Sequence, residues 1–511
     1  MLARVTAESE GVWEHLVETV LADYLLNTLG LLVGVLVGTT VIGVAAAWIV
    51  TMYTFPGRRV LSWMLLLPLA MPTYLMAYTY TDLLQFSGPV QTWLRESCGW
   101  SRGDYWFPEI RSLGGAVATF SLVLYPYVYM LARVAFLEQS QCVLEVSRTL
   151  GRGPWRSFFS VALPLARPGI AAGASLALME TLAEYGAVDY FAVDTFTTGI
   201  YRTWTALASP EAASQLAAVL VLFVLVLLSL ERLGRGKARY DPTTNRHRAA
   251  RSPRLAGWRG AAAATACAVP VIGGFGLPAA VLFRLARGAD HTLGSNDVLT
   301  LVRNTLTLAL VTAALVALLG LILAYGARID RGRWVRFGAR IVSLGYAVPG
   351  SVVAVGVLVT LSGLTRLTGL FAGGTIAALV YAYSVRFSAV SVQTLEAGLQ
   401  KVAPTMDEAA RTLGATPGGV LRRIHAPLLR GSILTASLLV FVDVMKELPA
   451  TMIMRPFDFD TLAVRVHHYA SDERLAQSAF PALLIVAVGL GPVILLSRAI
   501  DRARTGDQLA P

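Results

Sequence analysis

The sequence contains one polar, glycine-containing stretch twice. Residues 145–170 read EVSRTLGRGPWRSFFSVALPLARPGI, and residues 408–433 read EAARTLGATPGGVLRRIHAPLLRGSI. Matching residues lie 263 positions apart, as Glu145 and Glu408 do. Both copies are basic, and each stands between apolar runs long enough for membrane helices. The duplication therefore predicts a membrane protein made of two copies of one unit, with two equivalent loops that dock a partner on one side.

The apolar runs that flank the loops along the chain exclude a soluble protein. The chain has 511 residues, of which 55% are hydrophobic and only 15% charged. A helix needs roughly 20 apolar residues to cross a bilayer, and the runs 29–50, 60–80, 113–132 and 306–325 contain no charged residue at all. We predict helices near 27–50, 60–80, 113–135, 169–190, 214–231, 261–283, 300–325, 337–361, 370–393, 432–454 and 480–498.

The basic residues indicate the orientation of these helices. The formal net charge is +11, but the arginines cluster in short loops and not on a soluble domain, so we predict no nucleic-acid partner. The clusters at 58–59, 232–259 and 328–336 fall on one face, which the positive-inside rule assigns to the cytoplasm. Both repeated loops and the C-terminus are predicted on that face, with the N-terminus outside. The first residues lack the pattern of a cleavable signal.

The repeat extends beyond the two loops. The spacing of matching residues is 277 at Pro72 and Pro349, falls to 256 at Tyr125 and Tyr381, and returns to 263 in the loops. Helix 261–283 has no counterpart in the first half, but it makes the halves parallel repeats related by an axis along the membrane normal. The predicted domains are 1–231 with loop 138–168, a basic linker at 232–259, and 260–511 with loop 396–431.

The chemistry of the loop is that of a protein docking site. A Glu and an Arg three residues apart are neighbours on one face of a short helix, and the following Gly suits a helix end in the left-handed conformation. A Pro further on precedes re-entry into the membrane. The residues in these positions are Glu145, Arg148, Gly151 and Pro164 in the first copy and Glu408, Arg411, Gly414 and Pro427 in the second.

With these residues, each loop resembles the EAA coupling loop of ABC-importer permeases. The resemblance covers nearly the whole chain and implies an all-α integral membrane protein with two parallel-related repeats of a type I ABC importer transmembrane domain. About eleven or twelve transmembrane helices follow from it. It also implies a multi-pass protein of the bacterial inner membrane that contacts two ABC ATPase subunits on the cytoplasmic face, a substrate-binding protein on the outer face, and lipid.

ATP hydrolysis is expected on a partner chain. The sequence has no G-x-x-x-x-G-K-[ST], because the only Gly-Lys pair, at 236–237, precedes Ala238 and lacks the first Gly at the required spacing. We therefore expect ATP and magnesium on the ATPase, no cofactor on this chain, and a channel subunit that is not an enzyme. The alternative reading of the loops is a pair of basic segments that only set topology.

The segments after each loop narrow the resemblance to the fused ferric-iron permeases. They are METLAEYGAVDYFAVDTFTTGIYRTW (179–204) and FVDVMKELPATMIMRPFDFDTLAVRVHHYASDERL (441–475). Fused thiamine permeases share the architecture, and polyamine, sulfate and phosphonate permeases share the loop. One departure is the count of five predicted spans before the linker, where the family usually has six. Either the true start lies upstream, or this half keeps a five-helix core.

Charged residues near mid-bilayer are candidates for the translocation path. Each costs about 2.5–3.5 kcal/mol on insertion scales, and such residues normally face a bundle interior or a water-filled path. Carboxylates there suit a cation, whereas pairing between them and a lysine would be structural, and the sequence leaves both readings open. The candidates are Glu180, Glu184, Asp443, Lys446 and Glu447.

The external segments contain two further candidates. Arg202 and Arg465, which share the spacing of the loops, are candidate contacts for a substrate-binding protein or ordinary solvated arginines. His467 and His468 are adjacent and point about 100° apart on a helix, so we predict no metal site there. An integral membrane enzyme or an ion-driven carrier remains a different class of function, but neither explains two docking loops.

Overall fold

The computed structural model describes residues 9, 11–101, 103–138, 153–235, 253–288, 295–330, 332–369, 373–400 and 402–506. Within these ranges the chain is helical and has no β-strand. One isolated bridge joins Thr54 to Arg254, where the Thr54 amide donates to the Pro253 carbonyl at 3.1 Å. The predicted all-α class is therefore confirmed for the described chain.

Nineteen described helices have seven or more residues. They are α1 (Val12–Thr19), α2 (Leu21–Met52), α3 (Arg58–Met64), α4 (Thr73–Leu84), α5 (Pro89–Cys98), α6 (Leu113–Glu138), α7 (Leu163–Ala183), α8 (Phe196–Thr205), α9 (Pro210–Arg235), α10 (Gly257–Val271), α11 (Leu277–Gly288), α12 (Ser295–Ile329), α13 (Arg333–Leu344), α14 (Gly350–Thr368), α15 (Ile376–Leu399), α16 (Pro404–Thr412), α17 (Arg430–Met445), α18 (Leu462–Ser471) and α19 (Leu475–Gly506). Shorter α-helices are Pro154–Ser157, Gly186–Tyr190, Pro417–Val420, Ala426–Leu428 and Pro449–Met454. Leu67–Ala70 and Gly345–Ala347 are 3₁₀ turns, and Phe158–Ala162, Ile272–Gly276 and Leu421–His425 are π turns.

The described helices agree with the predicted number of membrane spans. Nine are long and apolar enough to cross a bilayer, and the number reaches 11 when two bent helix pairs are each taken as one span. The pairs are Arg58–Ala70 with Thr73–Cys98, bent by 94°, and Pro417–Leu428 with Arg430–Met445, bent by 79°. Pro72 explains the first bend, because it lacks an N–H and its extended backbone (ψ 142°) ends one helix before the next.

The bend at Pro72 interrupts the predicted helix 60–80, and three further predicted helices are also interrupted. The predicted helix 337–361 divides into α13 and α14, separated by a 3₁₀ turn and by Pro349, whose backbone is extended (ψ 144°). The predicted helix 169–190 ends at Ala183, and the predicted helix 432–454 ends at Met445. At each of the last two breaks a glutamate carboxylate accepts backbone N–H groups of the next short helix.

The chain forms two packing units. One comprises the described residues of 14–199, 219–289 and 486–511, and the other those of 1–13, 200–218 and 290–485. Helices α10 and α11 therefore group with the first half of the sequence, although they follow the predicted linker. The domain boundaries at 231 and 260 remain a prediction about the sequence repeat.

The structure corrects the spacing of the repeat. Helix α6 begins at Leu113 and α15 at Ile376, which is the same spacing as in the loops. A Cβ at Gly43 would lie 2.8 Å from Val128 Cβ, and one at Gly320 would lie 2.8 Å from Ser391 Cβ. Gly43 and Gly320 are 277 residues apart, and Val128 and Ser391 are 263 residues apart, so the two contacts are equivalent. The predicted fall of the spacing to 256 is therefore wrong. Between these two pairs of helices the spacing changes once, from 277 to 263. The reason is that the segment between α4 and α6 is longer than its counterpart before α15.

Each unit fixes its first long helix in the same way. Asn27 Nδ2 of α2 donates to the Asp194 carbonyl at 3.0 Å, and Asn304 Nδ2 of α12 donates to the Asp460 carbonyl at 3.2 Å. A polar side chain in an apolar helix needs such a partner, since an unpaired amide costs free energy in a nonpolar environment. The repeated asparagines therefore position the segments that follow the two helix breaks.

Candidate coupling and translocation sites

The second repeated loop has the predicted helix–glycine–helix shape. Helix α15 ends at Leu399, α16 contains the Glu and Arg of the motif, and Gly414 follows with a φ of 78°. A short helix then begins at Pro417, where the Thr416 hydroxyl accepts the Gly419 N–H at 3.2 Å. The left-handed glycine reverses the chain between the two helices, as a non-glycine residue would do only with strain.

The outer surface of this loop is exposed and mixed in character. Glu408 and Arg411 are exposed, and so is Pro427. Leu413, next to the left-handed glycine, is 86% exposed, and Met406 is 42% exposed. An apolar side chain protruding among charged ones is a surface that a protein partner with a matching cleft could bind.

The inner surface of the loop is attached to α12 through Arg328. Its guanidinium donates to Asp407 Oδ2 from Nε at 2.9 Å and from Nη2 at 2.7 Å. It also donates to the carbonyls of Leu399 at 2.5 Å and Val402 at 2.9 Å. One side chain therefore connects the end of a membrane helix to the end of α15, to the connection after it, and to α16. We call Arg328, Asp407 and His425 the latch.

His425 completes the latch from the π turn. It is fully buried, and its Nε2 lies 2.5 Å from Asp407 Oδ1. The Tyr325 ring stacks obliquely against the imidazole with centroids 5.1 Å apart, and the Tyr325 hydroxyl donates to the Pro417 carbonyl at 3.0 Å. Burial raises the pKa of the Asp407 carboxyl, but hydrogen bonds from His425 and Arg328 outweigh that effect, so the pKa lies below its usual value.

The first loop is described only in part. Glu145, Arg148 and Gly151 lie outside the described residues, whereas Pro164 lies half-buried in the first turn of α7. The π turn Phe158–Ala162 of the first loop matches the π turn Leu421–His425 of the second loop, because the two lie 263 residues apart.

The aromatic and polar positions around the first π turn differ from those of the latch. Ala162 occupies the position of His425, and Trp48 that of Tyr325. The Trp48 ring lies 4.7 Å from the Phe158 ring. The described ring contacts around this π turn are therefore aromatic, whereas the π turn of the second loop contributes His425 to an ion pair with Asp407.

Glu184 and Glu447 stand at the equivalent breaks that follow α7 and α17. Glu184 Oε1 accepts the Ala187 N–H at 3.1 Å, and Glu447 Oε1 accepts the Ala450 N–H at 3.2 Å. Both carboxylates thus satisfy free N–H groups at the start of a short helix. The predicted continuous helix across this point is wrong because the carboxylate favours a new helix start.

Glu447 is also the centre of a buried ion pair. Its Oε1 lies 2.6 Å from Arg386 Nη1, with the two side chains 2% and 10% exposed. The Thr451 hydroxyl donates to Glu447 Oε2 at 3.1 Å and lies 2.5 Å from the Tyr383 hydroxyl. Gly350 leaves the space for this pair, since a Cβ there would lie 2.6 Å from Arg386 Nη1. The sequence analysis did not identify Arg386.

The other candidate path residues are less buried. Asp443 and Lys446 form an ion pair at 3.0 Å, with side chains 17% and 30% exposed. Glu180 is half-buried in α7. Among the described residues, no group of three or more His, Cys, Asp or Glu side chains could hold a metal ion.

The external arginines occupy different settings. Arg202 is exposed on α8, whereas Arg465 Nη2 lies 2.8 Å from Asp460 Oδ2. Arg455 approaches the other oxygen of the same carboxylate at 2.5 Å. Helix α8 begins at Phe196 and α18 at Leu462, which is a wider spacing than that of the loops. Arg202 and Arg465 are therefore not equivalent, and the constant spacing predicted for them is wrong, because the second half has a longer connection after its break.

The adjacent histidines are held apart by their helix. Their ring centroids are 6.3 Å apart, and His467 is 3% exposed. Burial, with a smaller effect of the neighbouring His468, lowers the pKa of His467 to about 4. A buried neutral imidazole in this position packs inside its unit.

Comparison with known proteins agrees with this architecture. The family described as "Binding-protein-dependent transport system inner membrane component" matches the chain twice, at residues 39–234 and 316–505. The two matches contain the two repeated loops and cover more than half of the chain.

Three relatives illustrate the range of similar proteins. The chain is 24% identical to the Fe(3+)-transport system permease protein FbpB 2 of Haemophilus influenzae over 492 residues, which is 94% of this chain and 90% of that protein. It is 32% identical to the molybdenum transport system permease protein ModB of Escherichia coli over 29% of this chain and 62% of that protein. It is 34% identical to the sulfate transport system permease protein CysT of Escherichia coli over 29% of this chain and 50% of that protein.

Proposed function

The chain belongs to the family of binding-protein-dependent transport system inner membrane components, and we propose that as an ABC importer permease it translocates ferric iron. The family makes it a multi-pass membrane subunit that is not itself an enzyme. The substrate, the sites of contact and the orientation of the termini are parts of the proposal.

The coupling function rests mainly on the second repeated loop. Glu408, Arg411 and Leu413 are exposed on its outer surface, while the latch holds its inner surface to α12. A segment that is exposed on one side and anchored on the other can transmit a displacement into a membrane helix. We propose that each repeated loop binds one ABC ATPase subunit, which holds the ATP and magnesium, and that this chain needs no cofactor.

The proposed cycle is alternating access. A binding protein delivers the substrate at the outer face, with Arg202 and Arg465 as proposed contacts. Closure of the two ATPases on ATP draws the loops together and opens the cavity outward, and hydrolysis returns it to the inward-facing state. Such a cycle requires only that the ATPases bind the two states with different affinity. The N-terminus would lie outside and the C-terminus in the cytoplasm.

Similarity over the full length supports iron as the substrate. The relative whose name specifies Fe(3+) transport aligns with 94% of this chain, whereas the molybdenum and sulfate permeases align with 29%. Their higher identity over that shorter length makes an oxyanion the second candidate. Ferric iron prefers oxygen ligands, and we propose transient contacts with Glu180, Glu184 and Asp443 along the path.

Glu184 and Glu447 both cap a helix break, but Glu447 differs from the three proposed path carboxylates in its burial and its ion pair. That side chain is 2% exposed and paired with Arg386, so we propose that it maintains the helix break and that Lys446 balances the charge of Asp443.

Uptake measurements test the proposal. Cells with and without the gene would receive labelled ferric iron, thiamine, molybdate or sulfate, with ATP depletion as the control for energy dependence. Loss of iron uptake alone supports the proposal. Loss of uptake of another substrate alone overturns the iron assignment and keeps the permease, and no change for any of the four overturns this range of substrates.

A further inference from the structure

Helix α13 presents an exposed apolar stripe. Its sequence is RWVRFGARIVSL, and Trp334, Phe337 and Ile341 are 85%, 56% and 53% exposed. At about 100° per residue, these three positions fall within roughly 60° of one another on the helix surface. A contiguous exposed stripe with tryptophan and phenylalanine needs an apolar environment.

A basic stripe runs beside the apolar one. Positions 333, 336 and 340 are all arginine, and they fall within about 60° of one another on the same helix. The sequence from 331 to 348 contains no acidic residue. The helix therefore combines an exposed apolar stripe with three arginine positions and has no acidic residue within its own bounds, the nearest being Asp330 in the connection before it.

The remaining face of α13 belongs to the protein. Val335, Ala339 and Val342 are half-buried and lie on the side away from the arginines. The helix is joined to α12 by three residues and to α14 by the 3₁₀ turn at Gly345–Ala347. Since α12 and α14 are both long enough to cross a membrane, α13 lies where two membrane helices end. This is the same end of α12 that holds the latch.

We propose that α13 lies in the membrane interface and binds anionic phospholipid headgroups. The apolar stripe would enter the acyl-chain boundary, as Trp and Phe do at membrane interfaces. The arginine stripe would face the headgroups, where charge complementarity selects anionic over zwitterionic lipid. Each arginine near an anionic surface favours binding by about five-fold.

The counterpart helix in the first half has a shorter form of this pattern. Helix α3 has 7 residues instead of 12. Its first arginine, Arg58, donates from Nε to the Val50 carbonyl at 2.7 Å, and Trp63 is 36% exposed. Arg59 and Val60 are exposed, so α3 keeps part of the pattern in a shorter helix, and the proposal concerns the longer helix of the second half.

Quenching of Trp334 fluorescence tests the proposal in the full chain. The chain would be placed in phosphatidylcholine nanodiscs that contain a minor fraction of brominated phosphatidylglycerol or, separately, the same fraction of brominated phosphatidylcholine. Subtracting the signal of W334F isolates Trp334. We expect both brominated lipids to quench this component, and the anionic lipid to quench it at least three-fold more strongly.

Two variants examine the role of the charges. R333Q/R336Q/R340Q should quench equally with the two lipids, and the single change R333Q should reduce the preference by up to about five-fold. R422Q/R423Q is the matched control, because it removes two exposed charges outside α13 and should keep the wild-type preference. Equal quenching of the wild type by both lipids would overturn the proposal. So would a Trp334 component that neither lipid quenches, because protein would then cover the stripe.

Discussion

The latch offers the most direct prediction about coupling. In R328Q, the glutamine amide has two N–H donors and keeps at most two of the four hydrogen bonds that the guanidinium makes, and Asp407 loses its opposite charge. Breaking a fully buried ion pair costs about 3–5 kcal/mol. The two side chains are 18% and 16% exposed, so we take the lower value, about 3 kcal/mol. At about 1.4 kcal/mol per tenfold, the population in which α16 is detached should rise about 100-fold.

Hydrogen exchange of the α16 amides measures this population. Peptides covering 404–412 should exchange about 100-fold faster in R328Q than in the wild type when exchange proceeds through local opening. R328K retains the charge without the two-pronged contact and should give an intermediate rate. The matched control is R333Q, which removes an exposed arginine after the same helix and should leave these amides unchanged.

The stability of the latch should also depend on pH. Because the folded-state pKa of Asp407 lies below its usual value, the latch is fully formed above that usual value and weakens as pH falls through the folded pKa. Exchange of α16 should therefore accelerate on acidification in the wild type and change less in R328Q. Wild-type exchange rates in R328Q at neutral pH would refute the structural argument.

Three further changes test the remaining features. G414V places a β-branched residue at a φ of 78°, costing roughly 1–2 kcal/mol, and should lower substrate uptake per ATP hydrolysed without lowering the amount of protein in the membrane. E447Q leaves the buried Arg386 charge without its counterion and should destabilise the fold by about 3–5 kcal/mol in denaturant unfolding. His467, with its pKa lowered to about 4, should cost about 3 kcal/mol of local stability as pH falls from 6.5 to 4, seen as faster exchange of α18.

Each of these changes has its own control. G418V alters an exposed glycine of the same loop whose φ is not positive and should keep coupling; equal losses in both variants would contradict the role of Gly414. R386M/E447L removes both charges and should be more stable than E447Q, and a less stable double variant would contradict the ion-pair argument. In H467Q the acid-induced change in α18 should disappear, and its persistence would assign it to another group.

The sequence predicted the repeat and the loop because both depend on local patterns. Apolar runs, a Glu–Arg pair and a glycine at fixed spacing were sufficient for the membrane class and for the bend at Gly414. The ion pairs of two arginines were missed, because each arginine pairs with a carboxylate far away in the sequence. Arg386 pairs with Glu447 over 61 residues, and Arg328 of the latch pairs with Asp407 over 79 residues. No local periodicity shows which side chains meet over such distances.

The helix breaks at Glu184 and Glu447 were missed for a different reason. Apolar continuity across 169–190 outweighed a local signal that was present, a carboxylate three residues before the N–H group that it caps. The false spacing of 256 arose from matching single tyrosines, whereas the contacts of Gly43 and Gly320 align whole helices. Packing of small residues defines equivalence in this fold more reliably than identity of large ones.

The paired π turns have a consequence for the history of the chain. Each π turn holds one residue more than an α-helical path would, and the two turns, Phe158–Ala162 and Leu421–His425, stand at matching positions. One insertion before the duplication explains both, whereas two later insertions at the same site would have to coincide. Half-size relatives that descend from the unduplicated ancestor should therefore carry the additional residue in the turn that ends two residues before the proline equivalent to Pro164 and Pro427. Its absence there would date the insertion to this lineage.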